Sequence, residues 1–172
     1  GQQIFTDSEF LSSFQYTQSL AHFAQMNFKQ AIQYAEIIAE GGSEDKNLAQ
    51  YILGQIYHAQ NKPRQAIQWY TQVKSIYPDA GESIDYFEQQ KLKIPEVTII
   101  RPNAPKPLDL PCRNIDRVQL QIYQVDLMKL FLRQKNLSQM SQIRLAGVEP
   151  QLTTEIKLNN PTLYLEHRQQ VQ

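Results

Sequence analysis

The sequence predicts an α+β protein, with antiparallel helix pairs in its N-terminal half and an antiparallel β-sandwich in its C-terminal half. Apolar residues recur at a helical period as far as about residue 92, and from residue 108 onward they alternate with polar residues. Between the halves lies KIPEVTIIRPNAPKPLDLPC, whose five prolines exclude a helix. We therefore expect a helical domain over residues 1–93, a linker with an entering strand over 94–107, and a β domain over 108–172.

The composition narrows the classes of function. Lysine plus arginine and aspartate plus glutamate number 17 each, and the sequence pI is about 7.0. A chain of balanced charge offers no strong field for a phosphate backbone or an anionic membrane. No apolar run approaches the roughly 18 residues needed to cross a bilayer. We expect neither a nucleic-acid partner nor a membrane span.

The first two helices are defined by their apolar stripes and their ends. The first should extend from Asp7 to Gln25. Its possible N-caps are Thr6, Asp7 and Ser8. Its apolar stripe consists of Phe10, Leu11, Phe14, Leu20, Ala21 and Phe23. The second helix should pass through residues 31–38 and stop at Gly41 and Gly42, because glycine tolerates the left-handed geometry that ends many helices.

Three further helices follow in the first half. Ser43 or Asp45 can cap the third. Pro63 suits the first turn of the fourth helix, and Pro78 is expected to end it. A shorter fifth helix should run from Ala80 to about Leu92.

Two segments of this half resemble each other at a spacing of 35 residues. NFKQAIQYAEIIAE and KPRQAIQWYTQVKS carry Ala31 and Ala66 at matching positions. Residues 47–80 resemble a tetratricopeptide repeat, and the positions that carry the resemblance are Gly54, Tyr57, Ala66, Tyr70 and Pro78. In residues 12–46 the matching places are held by Ser19, His22, Ala31 and Ala35. The resemblance implies that these residues pack the helices of each pair and that the fifth helix caps the array.

The same resemblance implies a partner surface on the inner helices. This surface would consist of Tyr16, Leu20, Tyr51, Gln55, His58, Asp85 and Gln89. A protein or peptide partner of unknown identity fits such an aromatic and polar surface. Receptors for chaperone C-terminal tails use Lys and Asn here, because a carboxylate needs charge-assisted donors, and these positions do not supply them.

Several alternatives to this partner surface stay open. His58 either contacts the partner or is an ordinary exposed residue. The aromatic residues are either recognition residues or core, with the helices docked onto the β domain. Short arrays also associate through uncovered helix faces, so a homodimer is a further possibility.

The strands of the second half are marked by alternation. VTII is β-branched and should enter the sheet, and Leu108, Leu110 and Cys112 alternate with polar residues or proline. RVQLQIYQVDL also has a period of two. LMKLFLRQKNL fits either a helical turn or an edge strand. QIRLAGVEP, LTTEIKL and TLYLEHRQQVQ should complete an antiparallel sandwich, because no long helix separates them.

The β half carries a second resemblance. LDLPCRNIDRVQLQIYQVDLMKLFL followed by IRLAGVEP resembles the start of a macroglobulin-type β-sandwich in bacterial proteins similar to α2-macroglobulin, over residues 95–172. It implies an exported protein, periplasmic or on the cell surface, and either an incomplete sandwich or a fragment of a longer chain. The thioester motif Cys-Gly-Glu-Gln of that family is absent, since Cys112 stands in PCRN. No covalent trapping chemistry is implied.

The sequence predicts no catalytic, cofactor or metal site. Cys112 with His22, His58 or His167 is the only candidate set for a nucleophile and its base. The alternating position of Cys112 favours a buried structural thiol. We expect His22 to be a satisfied interior side chain and His167 to lie in the tail without a partner. Three dispersed histidines give no metal-binding pattern.

These observations favour a non-catalytic protein-interaction or structural module within a larger exported α2-macroglobulin-like bacterial protein. The alternative is a self-contained intracellular adaptor whose groove binds an extended peptide. A hypothesis of another class is an enzyme whose site needs residues beyond this chain. The first predicts further β-sandwich sequence after Gln172, and the second predicts peptide binding that is lost on Tyr51→Ala or His58→Ala.

Overall fold

Helices form the first half of the chain and strands the second. The computed structural model describes residues 2–95, 101, 107–126, 128–129, 132, 148–158 and 162–171. Within these residues the helices with defined bounds are α1 (Gln2–Ala24), α2 (Phe28–Glu40), α3 (Lys46–Ala59), α4 (Pro63–Val73) and α5 (Pro78–Glu88). The sheets are antiparallel, and the predicted α+β class is confirmed.

The chain divides into two compact units, Gly1–Gln89 and Gln90–Gln172. In the first unit each helix packs against the next one along the chain. Because the connections are only a few residues long, successive helices run antiparallel. Across the described residues, none of the helices has both the length and the apolar character that crossing a membrane requires.

Helix α1 differs from its prediction in both its start and its orientation. It begins at Gln2, so Thr6, Asp7 and Ser8 lie inside the helix and are not its caps. The expected apolar stripe points largely away from the core, and Phe10 and Phe14 are 74% and 60% exposed. Phe23 of the expected stripe does pack against the core, and the other packed residues of α1 are Ser12, Tyr16 and Ser19.

The close approach of α1 to α2 explains which face of α1 is packed. The Ser19 hydroxyl is fully buried and donates a hydrogen bond of 2.8 Å to the carbonyl oxygen of Ala31. At this separation only a small side chain fits between the helices. A large side chain in place of Ser19 would hold the two backbones apart, so a serine stands where the helices come closest, while Tyr16 and Phe23 pack elsewhere on the same face.

The core of the helical unit lies between α2, α3 and α4. Its buried side chains in α2 and α3 are Ala31, Ala35, Ile38, Ala39, Ala49, Ile52, Leu53 and Ile56. Partly buried residues packed against them are Tyr16, Phe23, Phe28, Ile32, Tyr57 and Trp69. The predicted packing residue Tyr57 is thus at the edge of the core, whereas Ala66 in α4 is fully buried.

The 35-residue spacing recurs in the backbone of the turns. Helix α1 is followed by Met26 and α3 by Asn61, and each has φ of 57°. The Asn27 N–H donates to the His22 carbonyl at 2.8 Å, and the Lys62 N–H, 35 residues later, donates to the Tyr57 carbonyl at 2.9 Å. A left-handed residue followed by this long hydrogen bond is a Schellman motif.

The predicted left-handed end of α2 is wrong. Gly41 follows the helix in an extended conformation, with φ of −76° and ψ of −177°. Asp45 precedes α3, but its side chain makes no cap hydrogen bond to that helix. Its carboxylate accepts from Ser12 Oγ at 2.9 Å and Ser13 Oγ at 3.2 Å, and so connects the α2–α3 loop to α1.

Two boundaries near α5 also differ from the prediction. Helix α4 ends at Val73, before Pro78 is reached. Pro78 instead occupies the first turn of α5, where the missing N–H of proline has no intrahelical partner to lose. Helix α5 then ends at Glu88, and Leu92 belongs to a short strand.

The second unit contains a three-stranded and a two-stranded sheet. Strands β1 (Lys91–Leu92), β2 (Leu108–Arg113) and β5 (His167–Val171) form the first, in the order β1-β2-β5. Strands β3 (Arg117–Ile122) and β4 (Leu152–Lys157) form the second. The register pairs Leu108 with Val171 and Cys112 with His167 in the first sheet, and Arg117 with Lys157 in the second.

Both sheets contribute side chains to one apolar cluster. Its buried members are Leu110, Cys112 and Leu158, and partly buried residues from β3, β4 and β5 pack against them. The apolar positions predicted to alternate along β2, Leu108, Leu110 and Cys112, therefore all face this cluster. Strand VTII and most of LMKLFLRQKNL and QIRLAGVEP lie outside the described residues, although Met128, Lys129 and Leu132 are helical.

Candidate functional site

The helical unit has an open cleft of about 410 Å³ formed by residues of α1, α3, α4 and α5. Its lining residues are Phe23, Tyr51, Gln55, His58, Ala59, Tyr70 and Ser83. Four of the seven lining residues carry rings, namely Phe23, Tyr51, His58 and Tyr70, and Gln55 and Ser83 supply neutral polar groups. A surface of this composition can bind apolar side chains and hydrogen-bond a peptide backbone, as ligand sites commonly do.

The position of Tyr70 is determined by Gly54. A Cβ added to Gly54 would lie only 2.5 Å from Cδ1 of Tyr70. The ring therefore fills the space that the side chain of any other residue at position 54 would need. Tyr70 is 2% exposed, and its ring centroid is 6.0 Å from that of Tyr51. Tyr51 in turn lies 4.8 Å from Tyr77. The aromatic wall is therefore held by packing before any ligand arrives.

His58 connects three helices at the cleft. Its Nδ1 lies 3.4 Å from the Tyr70 hydroxyl, and its ring centroid is 4.5 Å from that of Phe87 and 6.0 Å from that of Tyr86. Burial lowers the pKa of His58 from its usual value, because an imidazolium ion is poorly solvated among these rings. The alternative that His58 is an ordinary exposed residue is wrong.

The electrostatics of the cleft favour neutral side chains. Burial raises the pKa of Tyr70 to about 12, with a smaller opposing contribution from its hydrogen bond with Ser83 and a further increase from Tyr51. Tyr70 therefore remains a neutral phenol, and burial favours the neutral imidazole of His58. None of the seven described residues that line the cleft is a lysine or an arginine that could pair with an acidic ligand.

A second hollow of about 510 Å³ lies on α5. It is lined by Glu82, Asp85, Tyr86, Glu88 and Gln89. The three carboxylates are exposed. The stacking of Tyr86 with His58 joins this hollow to the cleft, because His58 lines the one and Tyr86 the other.

The seven residues predicted as partner-binding separate into three groups. Tyr51, Gln55 and His58 lie together in the cleft, and Asp85 and Gln89 line the hollow on α5. Tyr16 and Leu20 line neither. Tyr16 packs against the core. Burial raises the pKa of its hydroxyl, and the charges of Tyr77 and Asp45 raise this pKa further by smaller amounts.

Sequence reasoning missed Phe23, Ala59 and Ser83 as lining residues, and it assigned Tyr70 to packing alone. A signal existed for Phe23, which precedes His58 by one repeat length of 35 residues. No such signal existed for Ser83, because α5 has no counterpart in the repeat.

The structure brings Cys112 and His167 together, which the sequence did not predict. Cys112 Sγ lies 3.3 Å from His167 Nε2, because β2 and β5 pair these residues directly. Cys112 is fully buried. Burial raises the pKa of its thiol, and the charge of Glu166 raises it further. A thiol held protonated in this way is a poor nucleophile, so the pair favours a structural contact over catalysis.

His22 also differs from expectation. Its ring stacks on Tyr34 with a centroid separation of 5.6 Å and an interplanar angle of 4°. Its Nδ1 atom, however, is buried without a hydrogen-bond partner among the described residues. The prediction of a fully satisfied interior side chain is therefore wrong at this atom.

Comparisons with known proteins and a survey of possible metal ligands bring no further site. Within the part of the chain that the structure describes, no group of three or more His, Cys, Asp or Glu side chains could hold a metal ion. No family model, no curated protein and no solved structure matches this chain.

Proposed function

We propose that the chain is a non-catalytic protein-interaction module whose helical unit binds an extended peptide segment of a partner protein in the aromatic cleft. The observation that carries this proposal is the open cleft lined by Tyr51, Gln55 and His58. Its walls are preformed by packing, so that binding costs little ordering of the receptor. Exposed backbone groups of an extended peptide can pair with polar side chains such as Gln55 and Ser83.

The helical unit is best interpreted as a short tetratricopeptide-like array. The 35-residue periodicity supports this, because it relates small residues in the helix pairs and also the hydrogen bonds of the two Schellman turns. Helix α5, which packs against α4, would be the capping helix. In this interpretation the cleft belongs to the inner surface of the array.

The β unit is best interpreted as a macroglobulin-type sandwich within a larger exported bacterial protein similar to α2-macroglobulin. Two antiparallel sheets that share one apolar cluster support this interpretation. The buried, protonated thiol of Cys112 supports a structural and not a reactive role for this unit. The helical unit would then position the larger protein by binding a partner.

The cleft proposal is tested with a random dodecamer library displayed on phage and panned against the full chain. Gln55→Arg adds a long charged side chain within the cleft, whereas Gln72→Arg makes the same change at an exposed position of α4 outside it. We expect enriched peptides whose binding is lost on Gln55→Arg and retained on Gln72→Arg. Failure to enrich any peptide, or equal binding to both variants, would overturn the proposal.

The exported protein and the intracellular adaptor are distinguished by location. An antibody raised against the chain can be used on periplasmic, surface and cytosolic fractions of the source cells. The exported interpretation expects the antigen in the first two fractions, on a polypeptide longer than 172 residues. A cytosolic antigen of about 20 kDa would favour the adaptor instead.

A further inference from the structure

The two units carry opposite charge although the whole chain is neutral. Residues 1–89 contain ten acidic and five basic residues, which gives a net charge of −5, and residues 90–172 contain twelve basic and seven acidic residues, which gives +5. The sequence pI of about 7.0 conceals this separation. The helical unit by itself thus carries a net negative charge, which favours a positively charged ligand.

The negative charge is concentrated next to the cleft. Glu82, Asp85 and Glu88 lie in the hollow on α5, and all three are exposed. None of the ion pairs found among the described residues involves α5. A cation that arrives with a ligand would thus not have to displace an ion-pair partner that belongs to the described residues.

The same hollow contains an aromatic surface. Tyr86 is 49% exposed, and its ring stacks with His58 at the cleft. An arginine side chain can stack on a tyrosine ring and hydrogen-bond carboxylates at the same time, because its guanidinium group is planar and carries five donors. Lysine can supply the charge but not this combination of contacts.

We infer that the partner segment is basic: an extended peptide with an apolar residue in the cleft and an arginine in the adjoining hollow on α5, between Tyr86 and the carboxylates of Glu82 and Asp85. This inference rests on the proposed function, since it specifies the chemistry of the ligand for the same cleft. It commits to a segment of a separate partner protein and not to a second copy of this chain.

The test uses the dodecamers selected against the full chain. We expect arginine to be enriched and glutamate depleted relative to the unselected library. A synthetic selected peptide, measured by fluorescence anisotropy, should bind about fivefold or more weakly when its arginine is replaced by citrulline, which is neutral but of similar shape. The double variant Glu82→Gln/Asp85→Asn should weaken the arginine peptide by a similar factor. It should leave the citrulline peptide unaffected.

Glu40→Gln/Glu44→Gln provides the matched control, because it removes the same net charge at exposed positions outside both hollows. We expect this variant to bind the arginine peptide within about twofold of the unmodified chain. An equal loss in both double variants would indicate only a diffuse field and would overturn the inference. All variants should show the same thermal midpoint, since every changed side chain is exposed.

Two other outcomes distinguish this inference from the proposed function. Selected peptides without basic residues, whose binding is still lost on Gln55→Arg, would overturn the inference and leave the cleft proposal standing. The absence of any cleft-dependent peptide would overturn both. A dimer in sedimentation experiments that the arginine peptide dissociates would indicate a second copy as the occupant, and this would also overturn the inference.

Discussion

The two helix pairs, residues 12–46 and 47–80, fill equivalent positions with different side chains. In the second pair the large ring of Tyr70 lies directly against the backbone of Gly54, which has no side chain. In the first pair the equivalent positions are Ala35 and Ser19, and the contact depends on the hydrogen bond from Ser19 to Ala31. Both arrangements allow close approach of the helices, but only the second has an aromatic ring at this position, and that ring lines the cleft.

This difference explains where the cleft lies. Tyr51, His58 and Tyr70 all come from the second pair, whereas Phe23 is the contribution of the first. The residues that pack the second pair therefore also form the proposed binding surface. A change that disturbs its packing should affect both stability and recognition, while an equivalent change in the first pair should affect mainly stability.

The largest expected effect is that of Gly54→Ala. The added methyl group would overlap the ring of Tyr70, which is buried and cannot move without displacing its neighbours. Overpacking costs about 1–3 kcal/mol or more, and the gain in helix propensity of up to about 1 kcal/mol does not offset it. We expect a net loss of roughly 2 kcal/mol in the free energy of unfolding, measured in urea.

Trp69, the single tryptophan, lies in α4 and reports the unfolding of the helical unit by fluorescence. The matched control is Gly81→Ala in α5, where no atom lies within 4 Å of an added Cβ. This control should be neutral or stabilising by up to about 1 kcal/mol. Similar effects of the two substitutions would mean that the ring of Tyr70 does not lie against Gly54.

The next effect tests the contact of the first pair. Ser19→Ala removes a buried hydrogen bond and should lower the free energy of unfolding by about 1 kcal/mol. Thr17→Ala removes a solvent-exposed hydrogen bond of 2.9 Å to the Ser13 carbonyl and should change the free energy of unfolding by no more than about 0.5 kcal/mol, because the higher helix propensity of alanine offsets the loss. If urea unfolding gave the same loss for both variants, the close approach at Ser19 would contribute nothing specific.

The turns of the two pairs should respond differently to glycine. Met26 and Asn61 share the left-handed conformation, but asparagine adopts it more readily than methionine does. Met26→Gly should therefore stabilise the helical unit by up to about 1 kcal/mol, while Asn61→Gly should change its stability by a few tenths at most. Urea unfolding of both variants makes the comparison. A loss of stability on Met26→Gly would contradict the assignment of this turn.

The sequence predicts the second pair better than the first for a physical reason. Gly54, Ala66 and Tyr70 belong to a local pattern, in which the spacing along two adjacent helices determines the contact. The packed face of α1 is not determined locally, because the exposed Phe10 and Phe14 are at least as apolar as the packed Tyr16 and Phe23. The choice depends on the close approach of α2 at Ser19, which periodicity alone does not reveal.

Contacts between residues far apart in the sequence explain the other features that the sequence did not predict. Cys112 and His167 are 55 residues apart in sequence and meet only because β2 and β5 pair in one particular register. The carboxylate of Asp45 is satisfied by serines that precede it by more than 30 residues. Tyr51, Gln55 and His58 were expected together because the resemblance to the tetratricopeptide repeat implied them, and all three belong to the single helix α3. Ser83 was not expected, since it belongs to a helix outside the repeat.

The smallest expected effect concerns pH and compares His58 with Phe23, its counterpart in the first pair. Burial lowers the folded-state pKa of His58 below its ordinary value of 6.5, so the unfolded chain takes up a proton first as the pH falls. Stability contributed by the neutral ring is therefore present above pH 6.5 and is lost as the pH falls from there towards the folded-state pKa. We therefore expect a loss of stability in acid from the position of His58 and none from the equivalent position of Phe23.

His58→Phe installs the counterpart residue and should make the unfolding free energy less dependent on pH between 7 and 5. The substitution also removes the contact with the Tyr70 hydroxyl, so the comparison depends on the slope against pH and not on the absolute stability. Urea unfolding followed by Trp69 fluorescence at pH 7, 6 and 5 gives this slope. An unchanged slope would mean that His58 is as well solvated in the folded protein as in the unfolded chain. The aromatic surroundings of the cleft would then not favour a neutral ring at this position.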